Sequence, residues 1–243
     1  MANRLLEQQA SLLDYLSSPA VIFGDQADVT LNPALQGIDR GVLRLQARFA
    51  CNKRIERIAA IFPLTFEILG SDQKLVLREF IEVSQPTEKR PLPNARELHE
   101  FLSAHWRRKP PEPAHLPDVA ACEFAMAQVN NAVEDRETPA KGDGLKRSVR
   151  RRHSVVALRC AYDVRSIFDA ASVAAVPPKR ETSLVVSFPP GCCDAHIVEV
   201  PKVIADALML LDDWTDPSKL HAFGNPDNLV RHLAVQEFID VRT

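Results

Sequence analysis

The apolar pattern of this chain changes once, near residue 135, and this change constrains the fold more than any other feature. Before it, apolar residues recur at steps of three and four, which is typical of helices that bury one side. The clearest such stretch is 117–133, where the residues on one helical face are Val119, Cys122, Met126, Val129 and Val133. After residue 153 the apolar residues form short, β-branched runs, which are typical of strands.

The first part of the chain predicts a helical domain over residues 1–135. Proline and glycine divide it, because proline lacks the N–H of a helix interior and glycine suits a helix C-terminus. Pro63 is therefore expected to bend or restart one helix, Gly70 to end the next, and residues 19–33 to form a loop. The expected helices cover 4–16, 39–62, 64–69, 72–83, 95–106 and 117–133.

The second part predicts a smaller domain over residues 154–243. Residues 136–153 are polar and basic, which is typical of a linker. Pro189-Pro190-Gly191 favours a hairpin-like connection between two of the expected strands. The strands are expected at 154–162, 183–188, 196–200 and 237–241, and the helices at 201–213 and 228–236. The fold class is therefore α+β, a helical domain followed by a winged-helix-like domain with a short β-sheet.

Composition indicates a soluble globular chain without a general affinity for polyanions. Apolar residues make up 46% and charged residues 26%, enough for a sizeable core. The formal net charge of −2 gives no overall field for nucleic acid or an anionic membrane. No apolar run approaches the roughly 18 residues of a membrane span. The five cysteines include no Cys-x-x-Cys pair, so a reduced, cytoplasmic chain is expected.

The sequence shows no convincing catalytic or metal-binding set. The nucleotide-cradling motifs GxGxxG and GxxxxGK[ST] are absent, and so is the nucleophile motif GxSxG. His99 and His105 are too far apart to bind one metal from successive turns of a helix. Cys192 and Cys193, near His196, form the most reactive-looking cluster, although adjacent side chains in a strand point to opposite faces. We expect no catalytic residue, metal or cofactor in this chain.

Three segments carry a resemblance to a known family. They are RLQARFACNKRIERIAAIFPLTFEILG at 44–70, PDVAACEFAMAQVNNAVED at 117–135 and SVVALRCAYDVRSIF at 154–168. They resemble partner subunits of multinuclear iron-dependent oxidases from peptide natural-product pathways, the MbnC/TglI-like group, with the thiaglutamate-pathway (TglI-like) type favoured. The later TSLVVSF and PKVIADALMLLDDW fit the second domain of that family.

The resemblance implies a division of labour between two proteins. A TIM-barrel oxidase would hold the irons and oxidise a cysteine of a ribosomally made precursor peptide, C-terminal in the favoured type. A subunit resembling this chain would dock against that oxidase and bind the leader of the peptide through its C-terminal domain. The docking residues are expected in the first segment: Arg48, Arg54, Phe62 and Pro63.

The hypothesis for peptide binding is strand addition to a sheet edge, where main-chain hydrogen bonds give affinity and alternate side chains give specificity. The receiving strand is expected at 182–188 or 196–200, with the last full helix as an apolar wall. The candidate strand residues are Leu184, Val185, Val186, Phe188, Ile197 and Val198, and the wall residues are Val230, Leu233 and Ala234.

Two other functions remain open on the sequence alone. A winged-helix transcriptional regulator would use the basic run 146–152 and the helix that carries Arg231, although Asp227 and Glu237 flank that helix with the wrong charge for DNA. An enzyme would use Cys192 and Cys193. Neither requires the oxidase partner that the resemblance implies.

Overall fold

The computed structural model describes residues 2–24, 32–84, 90–134, 148–170, 176–189 and 194–242. Helices occupy most of the chain up to residue 134 and short strands follow, so the expected α+β class is confirmed. The chain divides into two compact units, residues 1–104 and residues 105–243.

The first unit is built from helices. They are α1 Ala2–Ser17, α2 Pro19–Phe23, α3 Arg40–Ala59, α4 Pro63–Leu69, α5 Gln73–Val83 and α6 Pro91–Arg108, within which the division of the chain falls. The short helix α2 lies where a loop was expected. It begins with Pro19, whose fixed φ suits the first helical position, and it ends at Gly24, whose φ is 75°.

Local chemistry sets the limits of α3 and α4. The Asp39 carboxylate accepts hydrogen bonds from the N–H groups of Gly41 at 2.6 Å and Val42 at 3.1 Å, which caps the start of α3. Pro63 begins α4, and Gly70, with a φ of 51°, follows its end. The expected break at Pro63 is therefore confirmed.

Helix α3 has two opposite apolar faces, and only one of them is buried. Leu43, Ala47 and Ile58 lie on the buried face, where Leu43 and Ala47 join the core formed with α1. On the other side Leu45 and Phe49 remain 69% and 64% exposed. A helix that is apolar on both sides leaves surface for a further contact.

The second unit combines helices with two small antiparallel sheets. Its elements are α7 Leu116–Glu134, β1 Ser148–Arg151, β2 Val155–Cys160, α8 Arg165–Ala170, β3 Thr182–Ser187, β4 His196–Glu199, α9 Lys202–Leu210, a 3₁₀ helix Pro217–Phe223, α10 Pro226–Val235 and β5 Ile239–Arg242. One sheet has the strand order β2-β3-β4 and the other pairs β1 with β5. The expected hairpin-like pairing of the second and third strands is confirmed, since Val185 lies opposite Val198.

Strand β3 is the centre of this unit because both of its faces are covered. On one face Val186 packs with Ala125 and Val129 of α7. On the other face Val185 belongs to the core that contains Leu208 of α9 and residues of α10. The side chains of a strand alternate between faces, so the continuous apolar run at 184–186 serves both cores.

Two ranges differ from the sequence prediction. Helix α7, expected in a domain covering 1–135, lies in the second unit because its buried face packs on β3. Ser148–Arg151, which fall in the expected linker 136–153, form β1 and pair with β5. This strand was missed because Val149 is its only apolar residue, so the two-residue alternation of a strand is not visible.

A cluster of charges fixes the end of β4. The Asp163 carboxylate accepts hydrogen bonds from Arg165, at 2.8 and 2.7 Å, and from Arg180 at 2.6 Å. Both arginines also donate to Glu199 of β4, at 2.6 Å from Arg165 and 2.9 Å from Arg180. The hydrogen bonds from Arg165 hold the pKa of Asp163 well below its usual range, with Arg180 acting in the same direction.

We expect Asp163→Asn to lower the free energy of unfolding by about 1–2 kcal/mol at pH 7. The folded pKa of Asp163 lies below the unfolded value of about 3.9, so this contribution is fully present above about pH 5. It should be lost as the pH falls through about 4 towards the folded pKa. Urea unfolding of both proteins over this range measures the difference.

The matched control is Asp169→Asn, an exposed carboxylate of α8. It should change the free energy of unfolding by less than about 0.5 kcal/mol at every pH in this range. A difference between wild type and Asp163→Asn that stays constant from pH 7 down to about pH 3 would contradict the role given to this carboxylate.

Candidate functional site

The central strand β3 has no free edge. Its expected contact residues Leu184, Val185 and Val186 are 0% exposed, and β3 pairs with β2 on one side and β4 on the other. A peptide cannot add to β3 without displacing one of these strands. The range 182–188 therefore supplies core rather than a receiving edge, and Phe188, partly buried, packs in the core on the α7 side.

Among the residues that the structure describes, β4 is an outer strand that pairs only with β3, so its other edge is free. The Val200 N–H donates to the Ser183 carbonyl at 3.0 Å, so the backbone hydrogen-bonding groups of Val200 face the β3 side. Antiparallel pairs alternate, so Val198 also bonds to β3 whereas Ile197 and Glu199 direct their N–H and C=O groups outwards. The side chain of Val198 is 38% exposed, and that of Ile197 lies in the core against α7.

The second free edge of this unit belongs to β5. Both backbone groups of Val149 in β1 bond to Thr215, the N–H at 2.9 Å to the Thr215 carbonyl and the carbonyl at 2.8 Å to the Thr215 N–H. Val149 lies opposite Val241. Because both backbone groups of Val149 are bonded to Thr215, Val149 and Val241 share no hydrogen bond, and Val241 directs its N–H and C=O away from β1. By the same alternation Ile239 does so too. Within the described part of the chain, β5 pairs only with β1.

The free edge of β5 opens beside α10, and the two elements enclose a groove of about 700 Å³. On the helix side it is lined by Asp227, Val230, Arg231, Ala234 and Val235, and on the strand side by Val241. The side chains of Val235 and Val241 are 70% and 39% exposed. This groove therefore joins outward-facing backbone groups to a wall that includes exposed apolar side chains, the combination that strand addition needs.

The wall residues expected on the last helix occupy three different environments. Leu233 is 0% exposed and belongs to the core of the second unit. Val230 is 1% exposed, and it belongs to that core while also lining the groove. Ala234 is exposed in the groove. The helix contacts β5 more extensively than β3 or β4, so the expected wall lies beside a strand edge that was not among the candidates.

Charged and aromatic side chains brace the β1–β5 pair. The ring of Trp214 contacts two guanidinium groups, with its centroid 4.8 Å from that of Arg150 and 3.8 Å from that of Arg242. Arg150 also pairs with Asp240 across the two strands at 3.5 Å. Stacking on an aromatic face is a preferred contact of arginine, so these groups hold the ribbon that carries the free edge.

The described arginines of the predicted basic run are paired within this unit. Arg151 pairs with Asp212, and Arg152 pairs with Glu237 at 3.3 Å and with Asp240 at 3.4 Å. Ion pairing of this kind lowers the capacity of these arginines to neutralise phosphates. The first residues of the run, 146–147, lie outside the described residues.

The expected partner-docking residues are not equally accessible. Arg48 and Pro63 are exposed, and the Arg48 Nε donates to the Ile22 carbonyl at 3.2 Å. Phe62 is 0% exposed, so its ring supports the break between α3 and α4 from inside the unit. Of the expected residues, only Arg48 and Pro63 present surface to a partner without a rearrangement of the core.

Arg54 joins three helices of the first unit. It donates to Asn94 Oδ1 at 2.8 Å, to the Ser84 carbonyl at 3.0 Å and to Glu97 Oε2 at 2.8 Å, and it stacks on the Phe80 ring at 4.9 Å. Burial lowers the pKa of Arg54, although the Glu97 carboxylate opposes this effect. These contacts use the guanidinium fully, so the geometry favours a structural role rather than a docking role.

Two of the three described cysteines, Cys122 and Cys160, are buried next to each other. Cys122 of α7 and Cys160 of β2 are 0% and 2% exposed, and their thiols are hydrogen-bonded to each other. This contact and burial raise the pKa of Cys122 well above its ordinary value, which disfavours the reactive thiolate. Cys192 and Cys193 lie outside the described residues, so the enzyme hypothesis that uses them is not tested.

Within the described residues, no His, Cys, Asp and Glu side chains cluster in a way that could hold a metal ion. None of the helices that the structure describes has the length and apolar character needed to cross a bilayer. No protein-family model matches this chain, and no curated protein shows a significant match.

Glu97→Ala should lower the free energy of unfolding by about 2–3 kcal/mol, because it leaves the largely buried Arg54 charge without its carboxylate. The matched control is Glu56→Ala, which breaks the exposed pair with Lys53 and should cost less than about 0.5 kcal/mol. Urea unfolding monitored by circular dichroism measures both. Equal effects of the two substitutions would show that Arg54 does not hold the helices together.

Proposed function

We propose that this chain is a non-catalytic partner subunit that binds the leader of a ribosomally made peptide and presents a cysteine of that peptide to a separate iron-dependent oxidase. The oxidase would supply the iron and carry out the oxygen-dependent modification of the cysteine. The observation that carries this proposal is the free edge of β5, which opens into a groove beside α10 that is lined by both charged and apolar side chains. The sequence resemblance supplies the kind of peptide and the kind of partner.

The bound leader adds to β5 as a further strand. Its backbone pairs with the N–H and C=O groups of Ile239 and Val241, which point away from β1. Every second side chain of the leader then points into the groove, where Ala234 and Val235 meet it. Main-chain bonds give the affinity, and the groove selects small or branched apolar residues at alternate positions of the leader.

The charges of the groove favour selectivity over general attraction. Asp227 and Arg231 lie one turn apart on α10 and bring one charge of each sign to the groove. A groove of this kind has no net attraction for polyanions, unlike a nucleic-acid surface. With the pairing of Arg150–Arg152, this supports peptide binding over the regulator hypothesis, which remains the second candidate.

The edge of β4 is the competing site for the same function. It offers outward backbone groups at Ile197 and Glu199 and one exposed apolar side chain, Val198. On β4 the side chain of Ile197 already packs against α7, whereas at β5 the exposed side chain of Val241 lines the groove beside α10. For this reason the proposal places the leader on β5.

Two proline substitutions distinguish the edges, because each removes an N–H group that points away from its own sheet. Val241→Pro should weaken binding of a fluorescently labelled leader peptide at least about tenfold, through lost hydrogen bonds of about 0.5–1.5 kcal/mol each and the steric effect of the ring. Ile197→Pro should leave the affinity within about twofold. Fluorescence anisotropy measures the affinity of both variants. The labelled peptide is one encoded by a short open reading frame next to the reading frame of this chain.

Circular dichroism and thermal unfolding check that both variants remain folded. Val186→Pro is not a suitable variant, because the Val186 N–H points towards β2 and its loss would break the sheet. Lost binding in Ile197→Pro with normal binding in Val241→Pro would move the site to β4. Normal binding in both would rule out strand addition at either edge, and salt-sensitive binding of duplex DNA without peptide binding would favour the regulator.

A further inference from the structure

The first unit contains a cleft that the peptide-binding proposal does not use. Its volume is about 460 Å³, and residues of α1, α2, α3, α5 and α6 line it. The apolar part of the lining consists mainly of Leu13, Leu16, Ile22, Phe49 and Ile81. A concave, mostly apolar cleft of this size with a few polar groups is the usual form of a small-molecule site.

One side of the cleft is cationic. Ala50, Lys53, Arg54 and Arg57 of α3 line it at steps of three and four, so they form one face of that helix. None of the described residues that line the cleft is an aspartate or a glutamate. The cleft therefore combines an apolar body with cationic groups on a single wall.

The cationic groups differ in their availability. Arg54 is held by Glu97, Asn94 and Ser84 and is a fixed part of the wall. The Lys53 side chain is 50% exposed, and its Nζ lies 2.8 Å from Glu56 Oε2, in a pair between neighbouring turns at the surface. Such an exposed pair contributes little, so Lys53 can exchange Glu56 for the anionic group of a ligand.

We propose that this cleft binds a small amphipathic carboxylate, whose apolar chain lies against Leu16, Ile22 and Ile81 and whose carboxylate meets Lys53. The apolar lining favours a hydrocarbon chain over a sugar or a nucleotide, which would leave polar groups unpaired there. A phosphate would need several convergent donors, whereas Arg54 and Arg57 already have partners and Lys53 is held only by an exposed carboxylate and a ring contact. A monoanionic head group fits this arrangement.

Isothermal titration calorimetry of the full chain with octanoate and with octan-1-ol tests the ligand class. Octanoate should bind saturably at one site, about threefold to fivefold more tightly than octan-1-ol at low salt, as expected for one exposed ion pair. Lys53→Gln or high salt should remove this advantage and leave the binding of octan-1-ol unchanged.

A filling variant and a labelling experiment test the location. Ala50→Trp places a large ring in the cleft from an exposed helix position and should weaken octanoate binding at least about tenfold. The matched control is Asn52→Trp, two residues further along α3, which points to another side of the helix and should bind normally. Cys51 lines the cleft, so saturating octanoate should slow its alkylation by iodoacetamide, measured by mass spectrometry of the Cys51 peptide.

Each part of the proposal has a result that overturns it. Absence of saturable octanoate binding would overturn the site, as would normal octanoate binding by a folded Ala50→Trp. Binding without protection of Cys51 would place the ligand elsewhere on the chain. Equal affinities for octanoate and octan-1-ol at low salt would overturn the anionic ligand class.

Discussion

Burial of both faces of β3 is the constraint on which the second unit depends. Val185 and Val186 are neighbours in sequence, yet they belong to two cores, one with α9 and α10 and one with α7. Each fully buried valine contributes about 1.5–3 kcal/mol relative to an exposed one, so these residues fix the positions of the helices around the sheet. Because β3 is covered on both faces and paired on both edges, binding is left to the outer strands. The candidate edge on β4 is a consequence of this arrangement, and the candidate edge on β5 belongs to the separate β1–β5 pair.

The helices and the fold class could be predicted because their signals are local. The period of three and four in α7 and the proline and glycine around α4 each depend on residues close in sequence. The β1–β5 pair could not be predicted in this way. Arg150 and Asp240 meet across it although they are 90 residues apart, and the arginine-rich sequence of β1 resembles a linker. Without β1, β5 has no assigned partner, and the groove beside α10 cannot be located.

The candidate surface of the first unit shows a different limit of sequence reasoning. Residue type indicated that Arg54 and Phe62 could contact a partner, but the direction of a side chain depends on the whole packing arrangement. Arg54 points inwards to Glu97, and Phe62 is fully buried. The helical period of α3 does separate the buried residues Leu43 and Ala47 from the exposed Phe49. The period alone could therefore have identified the exposed side of α3, though not the cleft, which needs α1, α2, α5 and α6 as well.

The long sequence separation between β1 and β5 also has a kinetic consequence. Contacts between residues far apart in a chain form slowly, because a long loop must close before they stabilise the fold. The sheet of β2, β3 and β4 pairs strands that are much closer in sequence, so it can assemble before the ribbon closes. Until β5 pairs with β1, its edge has no fixed direction and the groove beside α10 does not exist. In the proposed function, the peptide-binding groove would therefore be complete only in the fully folded chain.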